Sequence, residues 1–124
     1  MYNRATLTGY LGHNAILRTA SNQTPFTVLS VATHRTWKDL NTGERKSRTS
    51  WHRCVIFGKL ANYAGTLTKG ALVQLEGEIR TREYFPRVIA ESAVPVKKTI
   101  TEIRVYRLLH LDRLAHPSRP GEVT

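Results

Sequence analysis

The sequence has one cysteine, Cys54, and one methionine, Met1. A single thiol excludes an intramolecular disulfide and fits a reducing cytosol. It also argues against a structural zinc site: His52-x-Cys54 has ligand spacing, but no second cysteine completes a set of four ligands. No stretch approaches the roughly 20 apolar residues of a membrane-spanning helix. The N-terminus, Met1 to Thr6, has no apolar core followed by a cleavage site, so a signal peptide is not expected. Catalytic signatures are missing too. Gly58-Lys59 lacks the earlier glycine and the following Ser or Thr of a phosphate loop. There is no Gly-x-Ser-x-Gly and no obvious carboxylate pair, because Glu76 and Glu78 fall on the polar side of a strand pattern. An enzyme is the least expected reading, and no cofactor or metal is implied.

Acidic residues are scarce as well. Nine Asp and Glu face nineteen Lys and Arg, for a formal net charge of +10 over 124 residues. Such an excess favours a polyanion, through long-range attraction and counterion release. Anionic membrane would be attracted also, but no segment reads as a basic amphipathic helix, so nucleic acid is the expected partner.

What is present is alternation. In Trp51-His52-Arg53-Cys54-Val55-Ile56-Phe57, side chains of a strand point to opposite faces in turn. Trp51, Arg53, Val55 and Phe57 share one face; His52, Cys54 and Ile56 share the other. Residues 2–12 read as a strand bent near Gly9 or Gly12, with a short continuation over 14–19 and a turn at Ser21 to Pro25. A second strand covers 26–37, with Phe26 and Val28 on one face and Leu29, Val31, Thr33, Arg35 and Trp37 on the other. Residues 38–49 are polar and read as a long exposed loop carrying Lys38, Arg45, Lys46 and Arg48.

Over 59–69 the period changes. Leu60, Ala64 and Leu67 recur as the stripe of an amphipathic helix, with Gly70 placed as its C-terminal cap. Period two returns over 71–82, where Val73, Leu75, Gly77 and Ile79 oppose Gln74, Glu76 and Glu78. Residues 83–99 suggest an extended hairpin loop, residues 100–109 a last strand, and residues 114–124 a disordered tail after a domain of residues 1–113. Five strands with one helix between the third and fourth is the layout of an all-β OB-fold, a five-stranded Greek-key barrel whose face binds oligonucleotides or oligosaccharides.

The same residues carry a resemblance. Asn3 to Gly12, Val31-Ala32-Thr33, Trp37-Lys38-Asp39 with Gly43-Glu44, Trp51 to Ala61, and Lys69-Gly70 through Glu76-Gly77 to Arg80-Thr81-Arg82-Glu83-Tyr84 occur in order. In this the chain resembles the bacterial single-stranded DNA-binding proteins, up to about Arg113. The resemblance implies an OB-fold, a homotetramer with a dimer as the alternative, and sequence-tolerant binding of single-stranded DNA in replication, recombination and repair. It implies a cytoplasmic, nucleoid-associated protein.

Carried over residue by residue, the base-stacking aromatics are Trp37, Trp51, Phe57 and Tyr84, and His52 falls at a subunit contact. Many relatives have Trp where Tyr84 stands. Many also end in an acidic tip that recruits enzymes; this sequence ends Glu122-Val123-Thr124 with no acidic run, so recruitment by that route is not expected.

The chemistry suits the pattern. Every unpaired base has a flat π-face, so an aromatic ring can stack on any of them without reading its edge. Arg35, Arg53, Lys59, Arg80 and Arg82 lie beside the aromatics in sequence, and Lys38 and Arg48 in the loop, where they can follow phosphates. Burial of Trp51 and Phe57 in a core is the plain alternative. Tyr2, Tyr10, Phe26, Tyr63 and Tyr106 are assigned to packing. Two other functions fit the same composition: an OB-fold RNA-binding protein, and a primosome-type replication accessory protein.

Overall fold

The computed structural model describes residues 1–84 and 97–111. Six strands and one helix follow in the order β1 (Ala5–Leu11), β2 (Ile16–Thr19), β3 (Pro25–Lys38), β4 (Arg45–Phe57), α1 (Lys59–Ala64), β5 (Leu72–Tyr84) and β6 (Lys98–His110). The sheet runs β1-β5-β6-β4-β3-β2, and β1 also pairs with β3. That extra pairing, Tyr10 opposite Ala32 and Leu11 opposite Val31, closes five strands into a barrel. The expected five-stranded OB-fold with its helix between the third and fourth barrel strands is the observed architecture. The short continuation at 14–19 is a separate strand, β2, laid against the edge of β3.

Alternation builds the interior. Leu29 and Val31 of β3, Cys54 and Ile56 of β4, Val73 and Leu75 of β5, and Ile103 and Val105 of β6 turn inward and join one buried cluster. Burial pushes the Cys54 thiol pKa up to about 12, as expected for a thiolate denied water. Helix α1 closes one end of the barrel with Ala61 and Ala64, and Leu67 follows it into the core. Fully buried Thr27 ties the helix to β3: its hydroxyl donates to the Ala61 carbonyl at 2.7 Å.

Two expectations are corrected. The helix is six residues long and ends at Gly65, whose N–H donates to the Ala61 carbonyl. Gly70 instead sits just before β5 at φ +92°, where its N–H donates to the Leu11 carbonyl. The turn over 66–71 buries Leu67 without helical geometry, which is why the apolar period ran past the helix end. The second correction concerns residues 38–49. Residues 45–49 are strand, not loop, and pair with 34–38 as an arm beyond the barrel. The turn at its tip is closed by Asp39, whose carboxylate accepts from the Asn41 N–H at 2.8 Å and from Lys46 at 3.2 Å. These contacts hold the Asp39 pKa below its usual value, the Asn41 N–H contributing most.

Strands β5 and β6 likewise extend past the barrel, to Tyr84 and from Lys98. Most of the expected hairpin loop and the expected tail lie outside the described residues.

Candidate nucleic-acid interface

Strand pairing decides which side chains meet. On β4, Trp51, Arg53, Val55 and Phe57 point away from the interior, as alternation required. Directly opposite them on β3 stand Ala32, Ser30, Val28 and Phe26. On its other side β4 pairs in parallel with β6, and Val55 stands beside Arg104. Beyond β6, the β5 residues Glu78, Arg80, Arg82 and Tyr84 oppose Arg104, Glu102, Ile100 and Lys98. Side chains paired in register point to the same face. Trp51, Phe57, Tyr84, Arg53, Arg80 and Arg82 therefore belong to one continuous outer surface.

The aromatics on that surface are open to solvent. Trp51 is 59% exposed, Phe57 37% and Tyr84 38%. Trp51 and Phe57 are six residues apart on one strand, about 20 Å at ~3.3 Å per residue, too far apart to meet one base. Trp51 lies over Gly12 at the β1–β2 corner: a Cβ on Gly12 would come within 2.3 Å of its ring. His13 stacks beside it, with ring centroids 6.4 Å apart. Gly12→Ala is therefore expected to push the indole off its seat. Tryptophan emission should shift and nucleic-acid affinity fall severalfold, with the unfolding temperature nearly unchanged; fluorescence titration and thermal melting check this.

Phe57 is flanked from both neighbouring strands. Phe26 of β3 stacks on it with centroids 5.4 Å apart, and the Arg104 guanidinium of β6 sits 4.1 Å from its ring centre. Arg82 lies 5.9 Å from the centre of the Tyr84 ring. Between these strands runs a cleft of about 320 Å³ lined by Phe26, Arg53, Phe57, Arg82, Glu102 and Arg104, among others.

The remaining expected residues are placed differently. Trp37 stands opposite Lys46 and Arg35 opposite Arg48 on the arm, on the pleat face of His52 rather than that of Trp51. Trp37 is nonetheless 39% exposed, because the arm projects past the barrel. Like charges directly opposite each other, as in Arg35 and Arg48, repel; a phosphate between them would relieve that. Lys38 opposes Arg45 on the Trp51 face. Lys59 opens α1 next to Phe57, after the turn at Gly58, φ +80°. His52 is half-buried at the barrel mouth, with Nε2 2.9 Å from the Thr33 hydroxyl.

Sequence reasoning missed Arg104, Glu102, Phe26 and Arg18 as members of this surface. Arg18 of β2 opposes Phe26, so the surface reaches the β2 edge. Phe26 was expected to serve packing; the pairing sets it beside Phe57 on the outer face, and Arg104 beside Val55. Among the described residues, no group of three or more His, Cys, Asp or Glu could hold a metal ion, and no helix is long and apolar enough to cross a membrane.

A closed five-strand barrel with an aromatic, cationic outer face defines the class: an OB-fold binding module. The chain belongs to the single-strand binding protein family, whose family model matches residues 2–111. Among solved structures it is similar to a Plasmodium falciparum SSB in complex with ssDNA. Identity is 30%, the TM-score is 0.75, and the match covers 90% of this chain and 96% of that one.

Proposed function

We propose that this protein binds single-stranded DNA without sequence preference and acts by coating it, with no catalytic step. The observation that carries the reading is the single outer face on which Trp51, Phe57 and Tyr84 alternate with Arg53, Arg80, Arg82 and Arg104. Rings take up base faces and the cations follow the phosphates, so affinity comes from features every sequence shares. Capturing unpaired strand draws hairpins toward the open state and shields the strand from nucleases. The family resemblance supports roles in replication, recombination and repair, a cytoplasmic, nucleoid-associated location, and a homotetramer with His52 at a subunit contact; light-scattering mass reads the assembly.

Titration with poly-thymidine at low salt tests the reading. Tryptophan fluorescence is expected to be quenched, and log K to fall with log salt concentration by about 0.7 for each phosphate contacted. No quenching at low salt would sink the proposal. Preference for a matched single-stranded RNA competitor would move it to RNA.

A further inference from the structure

Among the described residues the DNA face carries two acids, Glu78 and Glu102, where repulsion of phosphate would argue for none, and Glu102 is the more deeply buried. Glu102 of β6 is only 9% exposed and lies between β4 and β5. One carboxylate oxygen accepts from Arg53 Nε at 3.1 Å, and the other accepts from Arg82 Nε at 3.4 Å. Arg80, which opposes Glu102 in the β5–β6 register, pairs with Glu78 instead at 2.9 Å. The carboxylate thus bridges two arginines from the strands on either side of its own.

We propose that Glu102 is a positioning residue for single-stranded DNA binding, holding Arg53 and Arg82 by their Nε groups so that their outer N–H groups meet successive phosphates. The inference rests on the reading that this face holds the strand. A guanidinium has five N–H donors, and the bond to Glu102 uses one, leaving four on the two terminal nitrogens. The Arg53 and Arg82 side chains are 40% and 49% exposed. A long side chain held in one geometry before binding loses less freedom when the ligand arrives. The fixed planar fork also makes arginine unlike lysine here. A lysine carries all its N–H donors on one nitrogen, so an ammonium drawn down to Glu102 is held away from the phosphate, whereas the arginine fork spans from the acid to the phosphate.

The opposing expectation is plain electrostatics, and it has the opposite sign. Glu102→Gln removes a negative charge from a polyanion-binding face, so by charge alone it should tighten binding. An amide has one acceptor oxygen instead of two and presents its NH2 to the second arginine, so one arginine is released. Loss of one ordered phosphate contact reduces the salt slope by about 0.7, which at 0.05 M salt is about eightfold in affinity.

The test is poly-thymidine titration across a salt series with the full-length wild type, Glu102→Gln, and Arg82→Lys. The second substitution keeps the net charge and leaves the buried acid in place, so it serves if the first does not fold. Expected are about eightfold weaker binding at low salt and a shallower slope for each folded variant. In an Arg53→Ala/Arg82→Ala background, Glu102→Gln should add no further loss. Unchanged or tighter binding by Glu102→Gln overturns the inference, as does an Arg82→Lys protein with wild-type affinity and slope. A wild type that does not bind at all overturns the functional reading itself, which is a distinguishable result.

Discussion

Trp51→Ala is expected to weaken single-stranded DNA binding by about 5- to 150-fold, while Tyr63→Ala leaves it within about twofold. The range follows from a stacking contribution of about 1–3 kcal/mol per base, with ~1.4 kcal/mol for each factor of ten. Trp51 has the highest exposure of the expected stacking residues. Its ring rests on Gly12 and beside His13, so it is held in place without being buried. Removing it leaves no cavity in the core, and the loss reads as lost stacking rather than lost folding. Tyr63 is an exposed aromatic of similar reach on α1, outside the strand rows. Fluorescence anisotropy with labelled poly-thymidine measures both variants, and thermal melting confirms that each is folded. Equal losses would mean that the strand face is not the platform.

The choice of Trp51 was legible in the sequence because strand alternation is local. Seven residues of β4 suffice to send Cys54 and Ile56 inward and Trp51 and Phe57 outward, and the barrel obeys that pattern. Where both faces of a hairpin meet water, alternation vanishes. Residues 45–49 are Arg, Lys, Ser, Arg and Thr and carry no apolar mark, so they read as loop; only pairing with 34–38 makes them strand. Conversely, apolar periodicity outlasts the helix, because Leu67 is buried by a turn.

The candidate site divides along the same line. Trp51, Arg53 and Phe57 sit on one strand and could be grouped from sequence. Grouping them with Arg104 and Glu102 requires the parallel pairing of β4 with β6, two strands separated by the helix and all of β5. No local pattern encodes that contact. Neighbouring strands also set which face Trp37 shares: its parity matches that of His52, so the arm presents it on the other side of the pleat. A strand of DNA that stacks on both Trp51 and Trp37 must therefore pass around the arm rather than lie flat along one surface.

Gly77→Ala is expected to be among the most damaging small substitutions in the barrel, lowering the unfolding temperature by about 5–15 °C. Gly77 is buried in β5 opposite Val105, next to the irregularity that leaves Tyr106 as an extra residue in β6. A Cβ there would lie 2.2 Å from the Arg104 carbonyl oxygen and 2.9 Å from the Val105 Cα. Both are backbone atoms, so no side chain can swing aside; β5 and β6 must part or the bulge must shift. Overpacking of this kind costs about 1–3 kcal/mol or more, and each kcal/mol moves the midpoint by ~4–8 °C in a domain of about this size. The damage should not stay in the core. The strand forced to move carries Glu102 and Arg104, so poly-thymidine affinity should fall together with stability. Gly43→Ala is the contrast: at φ +76° with open space around its Cβ position, it strains only an exposed turn. Scanning calorimetry and the same titration on both variants check the pairing of effects. A Gly77→Ala protein with wild-type melting would show that the bulge yields freely, and that the close approach of β5 to β6 is not what shapes the binding face.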